Sequence, residues 1–122
     1  MPRYRLKNLT HPLRAPLQVQ PCETFRCRLL GLMGQRGLPH ESGLLFRWPR
    51  EGRLETAIHM LFMRFPIAVI WLNGAQKVVD ARLARPWVDF LVPRAPARYV
   101  LELHPARLKD FTLGDHIAWY VI

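Results

Sequence analysis

The sequence predicts a mainly β fold: a small sandwich or barrel-like domain with one or two short helices. Three observations carry this expectation. Eleven prolines and seven glycines are spread along 122 residues, so the elements must be short and joined by turns. Several runs alternate apolar and polar residues with a period of two, the mark of a half-buried strand. Only ETFRCRLLGLMG repeats at helical spacing over its length, with Phe25, Leu29, Leu32 and Met33 at i, i+4, i+7 and i+8.

In chain order, RYRLKNLT and APLQVQ read as two strands around an HPLR turn, with Pro12 and Pro16 as punctuation. The helix of ETFRCRLLGLMG is capped by Glu23 or Thr24 and stopped by Gly34 and Gly37, because glycine readily takes the left-handed conformation that ends helices. QRGLPHESG is a loop. LLFRW (44–48) is a short strand followed by a PREGR turn, and TAIHMLFM (56–63) is a further strand. Pro66 has no backbone N–H to donate, so Arg64–Pro66 marks a break, bulge or edge. IAVIWLN is almost purely apolar and reads as a strand buried on both faces. NGAQ (73–76) turns it back into KVVDARLA as a hairpin. After the proline-rich RPWVDFLVPRAPA comes the strand RYVLELH, with Tyr99, Leu101 and Leu103 on one face. PARLKDF is a short helix with proline in its first turn. LGD then turns into a last strand, HIAWYVI, with Ile117, Trp119 and Val121 on one face. No internal repeat and no long linker divides residues 1–122, so a single domain is expected, large enough to bury about two thirds of its unfolded surface.

The order of these segments resembles a family of bacterial and archaeal proteins, the domain of unknown function 192 family, over about residues 22–117. The matching features are GLM after a short helix, the SGLLF strand, the MRFPIAVIWL core, the YVLEL strand and the GD turn near the end. The resemblance implies a small, mainly β sandwich or barrel and no assigned activity. One position departs from it. Relatives carry an aspartate two residues after the core proline, where this chain has Ala68. An aspartate that serves as a functional site in relatives is lost here; one that serves as a buried structural partner implies a repacked strand.

The remaining features exclude more chemistry than they assign. Two cysteines, Cys22 and Cys27, make neither a disulfide scaffold nor a CxxC pair. Cys27 lies between Arg26 and Arg28, but no base or orienting partner is indicated. The only serine, Ser42, has no G-x-S-x-G setting. The nine acids are dispersed rather than paired for glycoside chemistry. GLMGQRGL ends a helix instead of starting one, the wrong polarity for a phosphate-cradling loop. Among the five histidines no metal-ligand spacing occurs, so no metal site and no cofactor are expected. The N-terminus lacks the apolar segment of a secretory signal and no run approaches the ~20 residues of a membrane span, so a soluble, cytoplasmic protein is expected.

The binding clues are electrostatic. A net charge of +9, from 18 basic against 9 acidic residues, attracts nucleic acid, acidic proteins and other polyanions. Arg47–Trp48, Arg64–Phe65 and Arg85–Pro86–Trp87 set guanidinium groups beside aromatic rings that can stack on bases, or that can instead plug the ends of a sheet. The expected function is a non-enzymatic binding or accessory module for an anionic ligand or partner, with His59, Arg64, Arg85 and Trp87 as the candidate binding rim. Two alternatives stay open. One is a small hydrolase or metal-dependent enzyme built from His59, His104 and His116. The other is a subunit of a larger assembly anchored by Trp48 or Trp87.

Overall fold

A computed structural model of the chain describes residues 3–23 and 37–122. The helix expected over ETFRCRLLGLMG, with Cys27, lies outside the described residues from Thr24 onward. The described residues form nine strands. These are β1 (Tyr4–Asn8), β2 (Gln18–Cys22), β3 (Ser42–Gly52), β4 (Ile58–His59), β5 (Ile67–Leu72), β6 (Val78–Ala84), β7 (Phe90–Leu91), β8 (Ala97–Leu103) and β9 (Ile117–Val121). Seven of them make one curled sheet in the order β6-β5-β8-β3-β2-β1-β9, antiparallel except for the parallel pair β2 and β3. Its two edge strands meet at one end. Lys77 bridges His116, and Val78 N–H donates to the Asp115 carbonyl at 2.9 Å. The sheet is therefore a half-barrel closed at that end, which matches the β class expected from the sequence.

Two apolar clusters hold it. Inside the curl, Leu6, Val19, Leu45, Ile70, Leu101 and Ile117 meet Tyr99, Leu103 and Phe111. Outside it, Phe46, Val69, Trp71 and Val100 are covered by Ile58, Met60 and Met63. β5 lies between the clusters, and all six of its residues are buried, as its uninterrupted apolar sequence requires. Tyr99, Leu101 and Leu103 of β8 do share the inner face. Gly43 is required where β3 and β8 meet, since a Cβ there would lie 2.4 Å from Leu103 Cδ2 and 2.8 Å from the Glu102 carbonyl oxygen.

Two local expectations change. PREGR does not end its strand: β3 runs on to Gly52, with a register shift after Arg47 that accommodates Pro49. TAIHMLFM contributes only Ile58–His59 as strand, because the Met60 backbone turns to other partners, donating to the Asp89 carbonyl and accepting from Trp87 N–H. PARLKDF does form the expected short helix, a 3-10 helix over Pro105–Asp110 with proline in its first turn, and Arg107 is buried in it. The break expected at Arg64–Pro66 falls immediately before β5.

β4 and β7 pair into a two-stranded lid over the outer cluster. Specific polar ties hold the lid and its flanking loops to the sheet. Trp71 Nε1 donates to the Thr56 carbonyl at 2.8 Å, and Arg53 Nε to the Pro93 carbonyl at 2.8 Å. Asp80, fully buried on β6, accepts from Arg94 N–H at 3.1 Å and pairs with Arg82 and Arg94 side chains, while Arg82 also donates to the Val92 carbonyl.

Candidate functional site

The four residues of the expected rim all belong to the lid and the segments leading to it. His59 is the exposed half of β4, opposite Phe90 of β7. Arg64 is exposed at the approach to β5, and among the described residues no carboxylate pairs with it. Its exposure removes the desolvation penalty that a buried arginine would carry. Arg85 and Trp87 lie in the loop from β6 to β7. Arg85 donates to Asp89 from its backbone N–H (2.8 Å), Nε (3.1 Å) and a terminal nitrogen (2.9 Å). Those hydrogen bonds hold the Asp89 carboxyl below its ordinary range. They also brace the turn that presents Trp87.

Trp87 and Phe62 make the centre of this surface. Their rings pack edge to face with centroids 5.0 Å apart, and both are more than half exposed, at 58% and 56%. Both residues have a backbone φ of +64°, a conformation that bulky L-residues adopt only when held there. The hydrogen bond from Trp87 N–H to the Met60 carbonyl, 2.7 Å, ties the two turns together. Leu61, Val88 and Phe90 are exposed on the same segments. The partner ring, Phe62, was missed by sequence reasoning, because Arg64 drew attention to Phe65.

The other two arginine–aromatic pairs are different. Phe65 packs against the outer cluster, and Trp48 stacks on Phe46 with centroids 6.0 Å apart. In both, the ring faces the protein, which leaves Trp87 as the exposed anchor of the three. Arg47 is ion-paired with Glu23 at 3.3 Å.

The three histidines of the enzyme alternative go to three elements. His59 is on the lid. His104 stacks on His40 with ring centroids 3.6 Å apart and accepts from Ala106 N–H at the start of the 3-10 turn; burial and the neighbouring His40 both push it below the ordinary histidine range. His116 is at the closing seam beside Lys77. Among the described residues no three His, Cys, Asp or Glu side chains gather in a way that could hold a metal ion.

A different histidine has an acidic partner. His11 Nδ1 lies 2.7 Å from Asp115 Oδ1, although 104 residues separate them in sequence. Asp115 is almost wholly buried and also accepts from Asn8 Nδ2 at 2.8 Å and Thr112 N–H at 2.9 Å. Burial alone would push its carboxyl up, and the hydrogen bonds from Asn8, Thr112 and His11 overcome that, so it titrates below the ordinary aspartate range. Gly114, at φ +89°, makes the turn that aims Asp115 inward. The only sequence signal was the GD turn itself.

Ala68 faces the inner core with no exposure, paired across the sheet with Leu103 and Leu83. The position that holds aspartate in the resemblance is thus a core position here, filled by a small apolar side chain.

Comparison with known proteins settles the relationship. The family model DUF192, described as an uncharacterized group, matches residues 7–119. The chain belongs to the DUF192 family. The matched span is longer than the 22–117 suggested by the motifs, and it includes His11 and Asp115 as well as the lid. Among curated DUF192 relatives, a UPF0127 protein of Thermococcus gammatolerans is 41% identical over 84% of this chain and 67% of its own length. A UPF0127 protein of Pyrococcus furiosus is 34% identical over 92% of this chain and 95% of its own length. These relatives are archaeal. The same fold is seen in a crystal structure of a protein of unknown function from Novosphingobium aromaticivorans, with a TM-score of 0.76, 22% identity, and coverage of 96% of this chain and 84% of that one. Nothing in these relatives' names specifies an enzymatic activity. No helix among the described residues is long and apolar enough to cross a membrane.

Proposed function

We propose that this DUF192 protein is a non-enzymatic binding or accessory module that engages a polyanion through its lid. The observation that supports this most is the Phe62–Trp87 pair: two exposed rings in contact, each held in a left-handed backbone conformation, with the exposed Arg64 two residues along the chain from Phe62. Backbone conformations of this kind, in bulky residues, cluster at sites of recognition and catalysis. In this reading the rings stack on bases or other flat groups, and the exposed Arg64 and His59 meet the backbone charge. Arg85 acts mainly through Asp89, as the brace of the Trp87 turn.

The test is fluorescence anisotropy with a labelled single-stranded oligonucleotide across a salt series. Wild type should bind with an affinity that falls steeply with salt, because each neutralised phosphate releases counterions. Arg64→Ala and Trp87→Ala should each weaken binding by on the order of tenfold, the scale of one charge-assisted contact or one stacked base. Binding that ignores both salt and these substitutions would overturn the proposal. A second reading, an acidic protein partner at the same place, is favoured by the exposed Leu61, Val88 and Phe90 around the rings, an apolar patch suited to an interface. It predicts that Trp87→Ala matters more than added salt.

A further inference from the structure

A second surface, away from the lid, carries a more ordered arrangement. His11, Pro12, Arg14, Lys109, Asp110 and Thr112 line a cleft of about 530 Å³. The imidazole at its edge is oriented. Asp115, ionised and accepting from Asn8 and Thr112, has acceptor capacity only, so His11 Nδ1 carries the proton between them. The His11 side chain is 64% exposed while Asp115 is 2% exposed, which leaves Nε2 on the solvent side of the pair. Arg14 and Lys109 are both exposed, and neither has an ion-pair partner among the described residues. The one carboxylate in the lining, Asp110, is already taken by Arg107 Nε at 2.6 Å. The free charge in the cleft is therefore positive.

The cleft also has an apolar neighbour. Arg14 and Pro12 are shared with an adjoining groove of about 700 Å³ that runs along β1, walled by Leu9, Leu13 and Pro16. Both volumes fall in the range of small-molecule sites, which combine apolar walls with a few fixed polar groups.

We infer that this cleft binds a phosphate monoester carried on a small apolar body, with Arg14, Lys109 and His11 around the phosphate and the body in the groove along β1. A phosphate dianion matches two permanently charged side chains and an imidazole that can donate from Nε2 as well when it is protonated. Asp115 is a positioning residue: its carboxylate holds His11 Nδ1 at 2.7 Å and so fixes the orientation of the ring. This site is separate from the lid and does not depend on the polyanion reading.

The experiment is calorimetric titration with phenyl phosphate and, in parallel, inorganic phosphate, while the His11 imidazole signals are followed by NMR. Saturable binding should perturb the His11 ring, with phenyl phosphate tighter than inorganic phosphate and acetate weaker than both. Arg14→Ala and Lys109→Ala, both at exposed positions, should each reduce affinity by on the order of tenfold. Arg64→Ala on the lid should leave it unchanged, which separates failure here from failure of the lid reading. The absence of a saturable response at millimolar phenyl phosphate, or equal binding by the Arg14 and Lys109 variants, would overturn the inference. So would binding only to vesicles containing phosphatidic acid and not to phenyl phosphate.

Discussion

Arg107 Nε lies 2.6 Å from Asp110 Oδ2, and the rest of the same guanidinium holds three backbone carbonyls from distant parts of the chain. Its terminal nitrogens donate to Pro16 at 3.1 Å, His40 at 2.8 Å and Ala15 at 3.0 Å. Arg107 is 4% exposed. One side chain thus joins the 3-10 turn, the loop before β2 and the loop before β3. Carbonyls in irregular backbone have no ladder partners, and the planar fork of five N–H donors supplies them. Arg107→Ala should destabilise the fold by about 3–5 kcal/mol, since it leaves Asp110 and the three carbonyls without their donor. Arg107→Lys should recover only part of this, because a single ammonium cannot reach across all four acceptors. Urea denaturation of the two variants checks the order.

Glu102 shows the opposite situation. It is 7% exposed on β8, between Leu44 and Val69 in register, and among the described residues no hydrogen bond or ion pair reaches its carboxyl. Burial pushes its pKa from 4.5 up to about 7. The unfolded chain releases this proton near 4.5 and the folded chain keeps it until about 7. Between those values the unfolded state holds fewer protons, so stability falls as pH rises. The loss from this group should approach about 3 kcal/mol by pH 8, at 1.36 kcal/mol per unit. Denaturation curves of wild type and Glu102→Gln at pH 4.5 and 8 test it. The difference between them should shift in favour of the glutamine variant at the higher pH, and a pH-independent difference would falsify the assignment.

The parts of the fold that were legible in the sequence are those set by local pattern. IAVIWL announced a strand buried on both faces because no polar residue interrupts it, and NGAQ announced its hairpin because Asn and Gly suit such turns. What failed was governed by contacts outside the window. TAIHMLFM has strand composition, yet its backbone beyond His59 is claimed by Trp87 and Asp89, about 27 residues further on. PREGR has turn composition, but its strand continues because β8 still offers a partner to Gly52. The same logic applies to the sites. Arg64, Arg85 and Trp87 were visible because each belongs to a local pairing of an arginine with an aromatic ring, Arg64–Phe65 or Arg85–Pro86–Trp87. His11 and Asp115 meet only after β1 and β9 pair, as Asn8 lies opposite Ile117, and the GD turn by itself does not reveal the partner that this pairing brings.

Among the described residues, three that carry side chains have a φ of +64°, Phe62, Gln76 and Trp87, and they allow strain and presentation to be separated. Gln76 is in the hairpin turn between β5 and β6, where Asn73 accepts from Ala75 and Lys77 N–H and organises the chain without help from the Gln76 side chain. Gln76→Gly should therefore relieve the left-handed conformation and stabilise the protein by about 0.5–1 kcal/mol. Trp87→Gly relieves the same backbone strain and keeps the N–H bond to Met60, but removes a ring that is mostly in water. Its stability should fall by no more than about 2 kcal/mol, since the loss of the buried part of the ring is offset in part by the relieved strain. Its oligonucleotide binding should nevertheless fall by on the order of tenfold, the worth of one stacked base. That combination, retained stability with lost binding, is what a side chain held for recognition must give. A Trp87→Gly protein destabilised by more than about 2 kcal/mol would instead make the ring part of the packing, as large-to-small core substitutions are, and the left-handed turn a structural necessity.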